Sequence, residues 1–413
     1  MMKRVLLILL TLVMFFSLAG FGSKISNTPA EPTPAPAENT VPEGFATTSY
    51  LYESSYGDTL FFLAVKNETD TAVSVSGNAV AKDASGNAIG AGDFSIDILG
   101  PGEESLDYVY FSNVSGVDSV SFQLSTKESA YYYPVLSGLD VARYDNPENV
   151  SLAITNTGDT AAQYVEAYAL FLDEGGEVTG YASTYVTDQD GELKVGDTRY
   201  AQLDNYGPYD SAMLYLTGRS DGALDHADSA FDAGQLSVQE YWYENGWGDT
   251  LVFLAIDNLS DTDVEVHANA AAKDAAGNVL GADEFTTDVI GPGLESIGYF
   301  YFDGVTGADH VDYVLTGDPD CYYVDVLANL DGDARINDNN VVVTLTNVGD
   351  IPARYVHVYA LFFDADENVV DYDYTYFTDD DGELKPGATL SEQLNTYEEF
   401  DSVVLFASGY GDK

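Results

Sequence analysis

Two short acidic runs carry the residue types best suited to holding a cation: Asp188-Gln-Asp190-Gly-Glu192 and Asp379-Asp-Asp381-Gly-Glu383. Carboxylates at alternate positions around a glycine turn can offer several oxygens to one centre, and calcium takes roughly six to eight. The spacing of a full EF-hand loop is missing, and Asp-Gly ahead of a strand is also an ordinary hairpin turn. Calcium is thus the one cofactor the sequence raises, with Asp188, Asp190, Glu192, Asp379, Asp381 and Glu383 as its ligands. The alternative is a turn and nothing more.

The second set of candidates is aromatic. Tyr241, Tyr243 and Trp247 stand close together, and Tyr372, Tyr374 and Tyr376 alternate, so the last three share one face of a strand. Exposed aromatic rows stack on sugar rings or anchor a protein partner. The competing reading is that tyrosine fills strand faces and junctions between modules.

Catalytic patterns are missing. The histidines His226, His267, His310 and His357 are scattered, and no Gly-x-Ser-x-Gly, His-Glu-x-x-His, Cys-x-x-Cys or Walker-type run occurs. Carboxylate pairs are too abundant for any one to stand out. The expectation is a protein that is not an enzyme.

These residues sit on a repeated chain. Asp58-Thr-Leu-Phe-Phe-Leu-Ala-Val-Lys-Asn67 returns as Asp249-Thr-Leu-Val-Phe-Leu-Ala-Ile-Asp-Asn258, an offset of 191 that continues to the C-terminus without insertion. Each half is itself double. An apolar strand ending in Asn leads through a polar turn to a second strand, an Asp-x-x-Gly turn and a third strand. Asp364-Ala-Asp-Glu367-Asn368 alone lacks that glycine. Short runs rich in Val, Ile, Tyr, Phe and Thr, punctuated by Gly, Asn and Asp, imply an all-β chain of tandem antiparallel β-sandwiches rather than helices. In Tyr355 to Phe363 the alternate residues Val356, Val358, Ala360 and Phe362 form one apolar face. Four modules are expected, at 47–126, 130–220, 236–317 and 320–413, as two duplicated pairs. The constant junction within each half implies that a pair packs as one unit, with a bend expected at 219–235 between pairs.

The order of these features resembles the FxLYD-type immunoglobulin-like domains of bacterial cell-envelope proteins. The positions that carry it are Asn67, Asn156, Asn258 and Asn347, with Asp83, Asp173, Asp274 and Asp364, and the turn glycines Gly102, Gly196, Gly293 and Gly387. The name-giving motif is looser: Ala169-Leu-Phe-Leu-Asp173 and Ala360-Leu-Phe-Phe-Asp364 keep the apolar run and the Asp but lack the leading Phe. The resemblance implies an extracellular immunoglobulin-like β-sandwich with no catalytic residues.

Composition and the N-terminus agree with export. The 413 residues are 45% hydrophobic, ample for packed cores, yet 69 Asp and Glu stand against 15 Lys and Arg for a net charge of −54. Such a surface repels phosphate backbones, which excludes nucleic acid as a partner. A single cysteine, Cys321, excludes an intramolecular disulfide. Residues 1–23 read as an export signal, Lys3-Arg4 followed by the apolar run Val5 to Leu18, which is short for a membrane-spanning helix. Leu18-Ala-Gly-Phe21-Gly-Ser resembles a lipoprotein signal in which Phe21 replaces the lipid-accepting cysteine, so membrane contact would come only through an uncleaved signal. Residues 24–46 form a Pro-rich spacer. The expected role is binding or structural at the cell envelope, with an envelope protein or glycan as partner. An accessory glycan-binding protein and a calcium-stabilised adhesin-like protein are the alternatives.

Overall fold

The computed structural model describes residues 39–129, 131–188, 191–222 and 231–413. The export signal with Phe21, most of the spacer, Asp190, His226 and part of the expected bend lie outside these residues. Every described element longer than a single helical turn is a β-strand, because no run after the signal keeps a helical period while apolar residues alternate throughout.

Module 1 contains β1 (Phe45–Glu53), β2 (Thr59–Asn67), β3 (Val73–Lys82), β4 (Ala88–Leu99), β5 (Glu104–Phe111) and β6 (Ser119–Glu128). They form the sheets β1-β2-β5 and β4-β3-β6. Module 2 contains β7 (Leu139–Asp145), β8 (Asn149–Asn156), β9 (Ala162–Leu172), β10 (Val178–Tyr185), β11 (Glu192–Leu193), β12 (Thr198–Asp204) and β13 (Ser211–Arg219). Here β12-β8-β7 faces a sheet centred on β9, flanked by β13 on one side and by β10 and β11 on the other.

Module 3 repeats module 1 with β14 (Leu236–Glu244), β15 (Thr250–Asn258), β16 (Val264–Lys273), β17 (Val279–Ile290), β18 (Glu295–Phe302) and β19 (His310–Asp318). Module 4 repeats module 2 with β20 (Val324–Asp325), β21 (Leu330–Asn337), β22 (Asn340–Asn347), β23 (Ala353–Phe363), β24 (Val369–Tyr376), β25 (Glu383–Leu384), β26 (Thr389–Asn395) and β27 (Ser402–Gly411). All named strand pairs are antiparallel. The chain is an all-β protein of tandem immunoglobulin-like β-sandwiches in two duplicated pairs.

Each sandwich encloses its own core. In module 4, Val356, Val358, Ala360 and Phe362 of β23 point inward against Val341, Val343 and Leu345 of β22, the alternation expected from the sequence. The opposite face of β23 is apolar too. Tyr359, Leu361 and Phe363 pack with Leu251, Phe253 and Ala255 of β15, so a second apolar layer lies between modules 3 and 4. Leu60, Phe62 and Ala64 of β2 meet Tyr168, Leu170 and Tyr215 in the same way between modules 1 and 2. The continuous burial of Leu60–Val65 and Leu251–Ile256 follows from this. A strand covered on both faces reads as an unbroken apolar run.

The repeated asparagines and glycines prove to be partners. Asn67 Nδ2 donates to the carbonyls of Thr71 (2.8 Å) and Leu99 (2.9 Å), while Oδ1 accepts from Thr69 N–H (2.9 Å). Asn156, Asn258 and Asn347 each make the equivalent three bonds. The main-chain carbonyl of each Asn also accepts from the turn glycine: Gly102, Gly196, Gly293 and Gly387, at 2.7–2.8 Å. One side chain thus ties a strand end to the next turn and to a distant strand end. Deleting it would strand two carbonyls, at about 1–3 kcal/mol for each buried group left unpaired.

The Asp-x-x-Gly turns show why glycine stands there. Gly86, Gly176 and Gly277 adopt φ of +78°, +80° and +82°. Glu367 holds the same turn in module 4 at φ +67°, a conformation that costs a residue with a Cβ roughly 1–2 kcal/mol. The three glycines have open space around them, so Glu367→Gly should stabilise the protein by about 1 kcal/mol. Chemical denaturation would show this as a higher midpoint with unchanged slope.

Candidate functional site

The aromatic row begins inside a module interface and runs out of it. β24 pairs with β23 so that Tyr372, Tyr374 and Tyr376 stand opposite Leu361, Tyr359 and His357. Tyr372 packs edge-on to Tyr243 and against Phe253, with ring centroids 5.7 and 5.1 Å apart. Tyr241 packs against Phe363 and Phe406. Tyr241, Tyr243 and Tyr372 are therefore interface residues rather than ligand-facing ones, since the layer between modules 3 and 4 occupies their rings. Burial pushes the Tyr372 hydroxyl up to about 12 and raises those of Tyr241 and Tyr243. Trp247, in the turn after β14, is 91% exposed and stands apart from the row.

What remains for a ligand is the end of the row. Tyr374 and Tyr376 are exposed, and His357 lies half-buried between Tyr359 and Tyr376 at 5.1 and 5.4 Å. His357 Nδ1 lies 2.9 Å from the Tyr355 carbonyl, which can only accept, so this nitrogen carries the proton. Burial holds the His357 ring below its ordinary 6.5. In the first half Ser183 and Glu166 replace Tyr374 and His357, and Glu166 accepts from the Tyr168 hydroxyl at 2.7 Å. Tyr185, the counterpart of Tyr376, is also exposed, so Tyr374 and His357 are what distinguish module 4.

The acidic runs serve the backbone. Asp379 Oδ1 accepts from the N–H groups of Asp381 (2.9 Å) and Glu383 (3.2 Å), and Gly382 takes φ +77°. Glu383 then pairs with Arg354 in the ladder, and its carboxylate meets Arg354 Nη2 at 2.8 Å. Lys385 Nζ lies 2.7 Å from Asp379 and 2.9 Å from Asp381, where a cation would sit. Asp379, Asp381 and Glu383 are thus engaged by the protein's own cations and do not converge on a metal. In the first half Asp188 Oδ1 accepts from Glu192 N–H, and Glu192 pairs with Gln163. Among the described residues no cluster of three metal-ligating side chains forms.

These turns also hold a feature invisible in the sequence. Tyr164 and Tyr355, equivalent residues near the starts of β9 and β23, adopt φ of +50° and +47°. Their N–H groups donate to the carbonyls of Gly191 (3.0 Å) and Gly382 (3.3 Å). Tyrosine carries no signal for this conformation; only its recurrence in both halves hints at it. Cys321 is buried, its Sγ 3.3 Å from the Asp318 carbonyl, and burial raises its pKa. It lies between β19 and β20.

The tandem β-sandwich is the class of protein this fold defines. No family model matches the chain, and no curated protein sequence matches it. Among solved structures it is similar to a red sea bream transglutaminase at 8% identity and TM-score 0.16, covering 85% of this chain and 92% of that one. It is similar to the BSP domain of a biofilm-associated protein at 10% identity and TM-score 0.13, covering 92% and 96%. An Escherichia coli alpha-2-macroglobulin activated by porcine elastase matches at 8% identity and TM-score 0.12, with 90% of this chain spanning 44% of that one. Likenesses this distant say nothing of activity.

Two measurements check this surface. Calcium titration should give no saturable heat, because the Lys385 ammonium already sits between Asp379 and Asp381; saturable binding abolished by Asp381→Ala would restore the calcium reading. The second is stability against pH. Burial raises Asp107, Asp283, Asp288 and Asp325 above the ordinary 3.8, so their stabilising contribution is complete below that value and is lost as pH rises through their folded pKa. Hydrogen bonds depress Asp58, Asp249, Asp274 and Asp364, whose contribution is present above 3.8 and lost as pH falls through their folded pKa. His357 opposes the first group, losing its contribution below 6.5, but it is one residue against four. Thermal melts should therefore be highest close to the ordinary carboxylate value of 3.8 and decline on both sides.

Proposed function

We propose that the chain is a non-enzymatic protein exported to the cell envelope, where its paired β-sandwiches form a scaffold for binding or support. The observation that carries this reading is how its reactive-looking side chains are used. Three of the six aromatic candidates fill the layer between modules 3 and 4, and the turn carboxylates hold Lys385 and Arg354. The charged start and short apolar run of residues 1–23 support export. With an epitope placed after Lys413, protease added to intact cells should remove the tag. A tag cut only after lysis would overturn export.

A second reading rests on the exposed group of Tyr374 and Tyr376 beside His357. Their rings would stack on sugar faces, which fits an accessory glycan-binding role. Binding on a glycan array should then fall at least tenfold in Tyr374→Ala with Tyr376→Ala and persist in Trp247→Ala. Array binding indifferent to both tyrosines would remove this reading.

A further inference from the structure

Modules 2 and 3 meet along sheet edges, and side-chain amides carry the contact. Asn269 of β16 accepts from the N–H of Tyr200 (2.9 Å) and donates to its carbonyl (3.0 Å), closing two backbone groups on the edge strand β12. In return, Gln202 Oε1 accepts from Ala282 N–H (3.2 Å), and Asn146 Nδ2 donates to the Leu280 carbonyl (3.1 Å). Both of those backbone groups lie on the edge strand β17. An uncovered sheet edge is a template for pairing, and here each module caps the edge of the other.

The 191-residue repeat sends a copy of each half of this joint to an end of the chain. Module 1 has Asn78, Ile89 and Ala91 where module 3 has Asn269, Leu280 and Ala282; module 4 has Asn337, Ser391 and Gln393 where module 2 has Asn146, Tyr200 and Gln202. All three capping amides are kept. The change from Tyr200 to Ser391 leaves the bond available, because Asn269 binds main chain there. The registers coincide as well: Ser391 stands opposite Thr344 as Tyr200 stands opposite Ala153, and Asn78 opposite Asp93 as Asn269 opposite Glu284.

Among the described residues both of these half-joints are bare. Asn269 is only 5% exposed, whereas Asn78, Ser391 and Gln393 are exposed. The rows Ser76, Asn78 and Val80 on β3 and Thr389, Ser391 and Gln393 on β26 carry no acid in a chain of net charge −54, while Asp93 of β4 stands opposite Asn78. Thr40 lies along β6, the edge of its sheet away from β4, and so leaves the β4 edge open.

We infer that module 4 of one copy binds module 1 of a second copy through this same joint, so that the chain associates head to tail with itself. The two faces differ, so the contact is heterologous and each added copy presents a fresh face. This goes beyond the envelope reading and does not depend on where the protein resides. The intermolecular joint lacks the Lys273–Asp312 ion pair beside Tyr200, since Lys82, Ser121 and Ser391 stand there instead. It also brings together two strongly acidic chains. Association is therefore concentration-dependent and strengthens as salt screens the repulsion.

Sedimentation velocity of the full chain over a range of concentrations, at low and high salt, tests this. The wild type should form a ladder of species that grows with concentration and salt. Asn78→Ala, and separately Asn337→Ala with Gln393→Ala, each remove two hydrogen bonds and should weaken association about tenfold or more. Mixing these two proteins should restore wild-type affinity but stop at heterodimers, because each retains the face the other lacks. Asn78 and Gln393 are exposed, whereas Asn337 is half-buried and donates to Asn340 Oδ1 (2.7 Å), so unchanged melting curves are required to show intact folds. A wild type that stays monomeric at high salt overturns the inference. So does a single-face variant that associates like the wild type, or a mixture that shows no heterodimer.

Discussion

The architecture depends on strands that are apolar on both faces. β2 and β15 are covered along almost their whole length, and the outer halves of β9 and β23 match them. A two-layer sandwich can cover only one face of such a strand; the other must find a second sheet. Eight side chains, among them Phe253, Leu361 and Phe363, are buried between modules 3 and 4. At about 2 kcal/mol for each large apolar side chain, exposing them would cost about as much as the whole stability of a typical domain. The two modules of a pair therefore pack against each other as one unit.

Within that unit the repeat retains what the backbone needs and releases what the surface can vary. The four asparagine clamps, their glycine partners and three of the four Asp-x-x-Gly turns recur because each satisfies buried carbonyls or a positive φ. Surface positions drift. Glu166 gives way to His357, Ser183 to Tyr374, and the Arg219–Asp97 ion pair becomes Tyr410 and Asp288. The joint between modules 2 and 3 is held differently, by amides reaching backbone rather than by an apolar layer.

Much of the fold was legible because local physics wrote it. Alternation in Tyr355–Phe363 marked an inward face, Asp-x-x-Gly marked turns, and the recurrence of Asn and Gly at one offset marked equivalent positions. The candidate site was far less legible. A tyrosine on the second face of a strand looks the same whether a sugar or another module covers it, and Tyr241, Tyr243 and Tyr372 went to the module. Asp379 and Asp381 have the spacing of a cation site, but whether Lys385 turns back onto them depends on how the loop closes.

The sequence by itself determined the β-sandwich class, the duplication and the places where the backbone must turn, because these follow from residue type and spacing along one strand or turn. Only the tertiary structure decided which aromatics are spent on packing, that each clamp asparagine finds its turn glycine, that Tyr164 and Tyr355 adopt left-handed backbone, and that amides close the edges between modules 2 and 3. Each of those outcomes depends on a partner far away in the chain, and no local pattern of residues specifies which partner arrives.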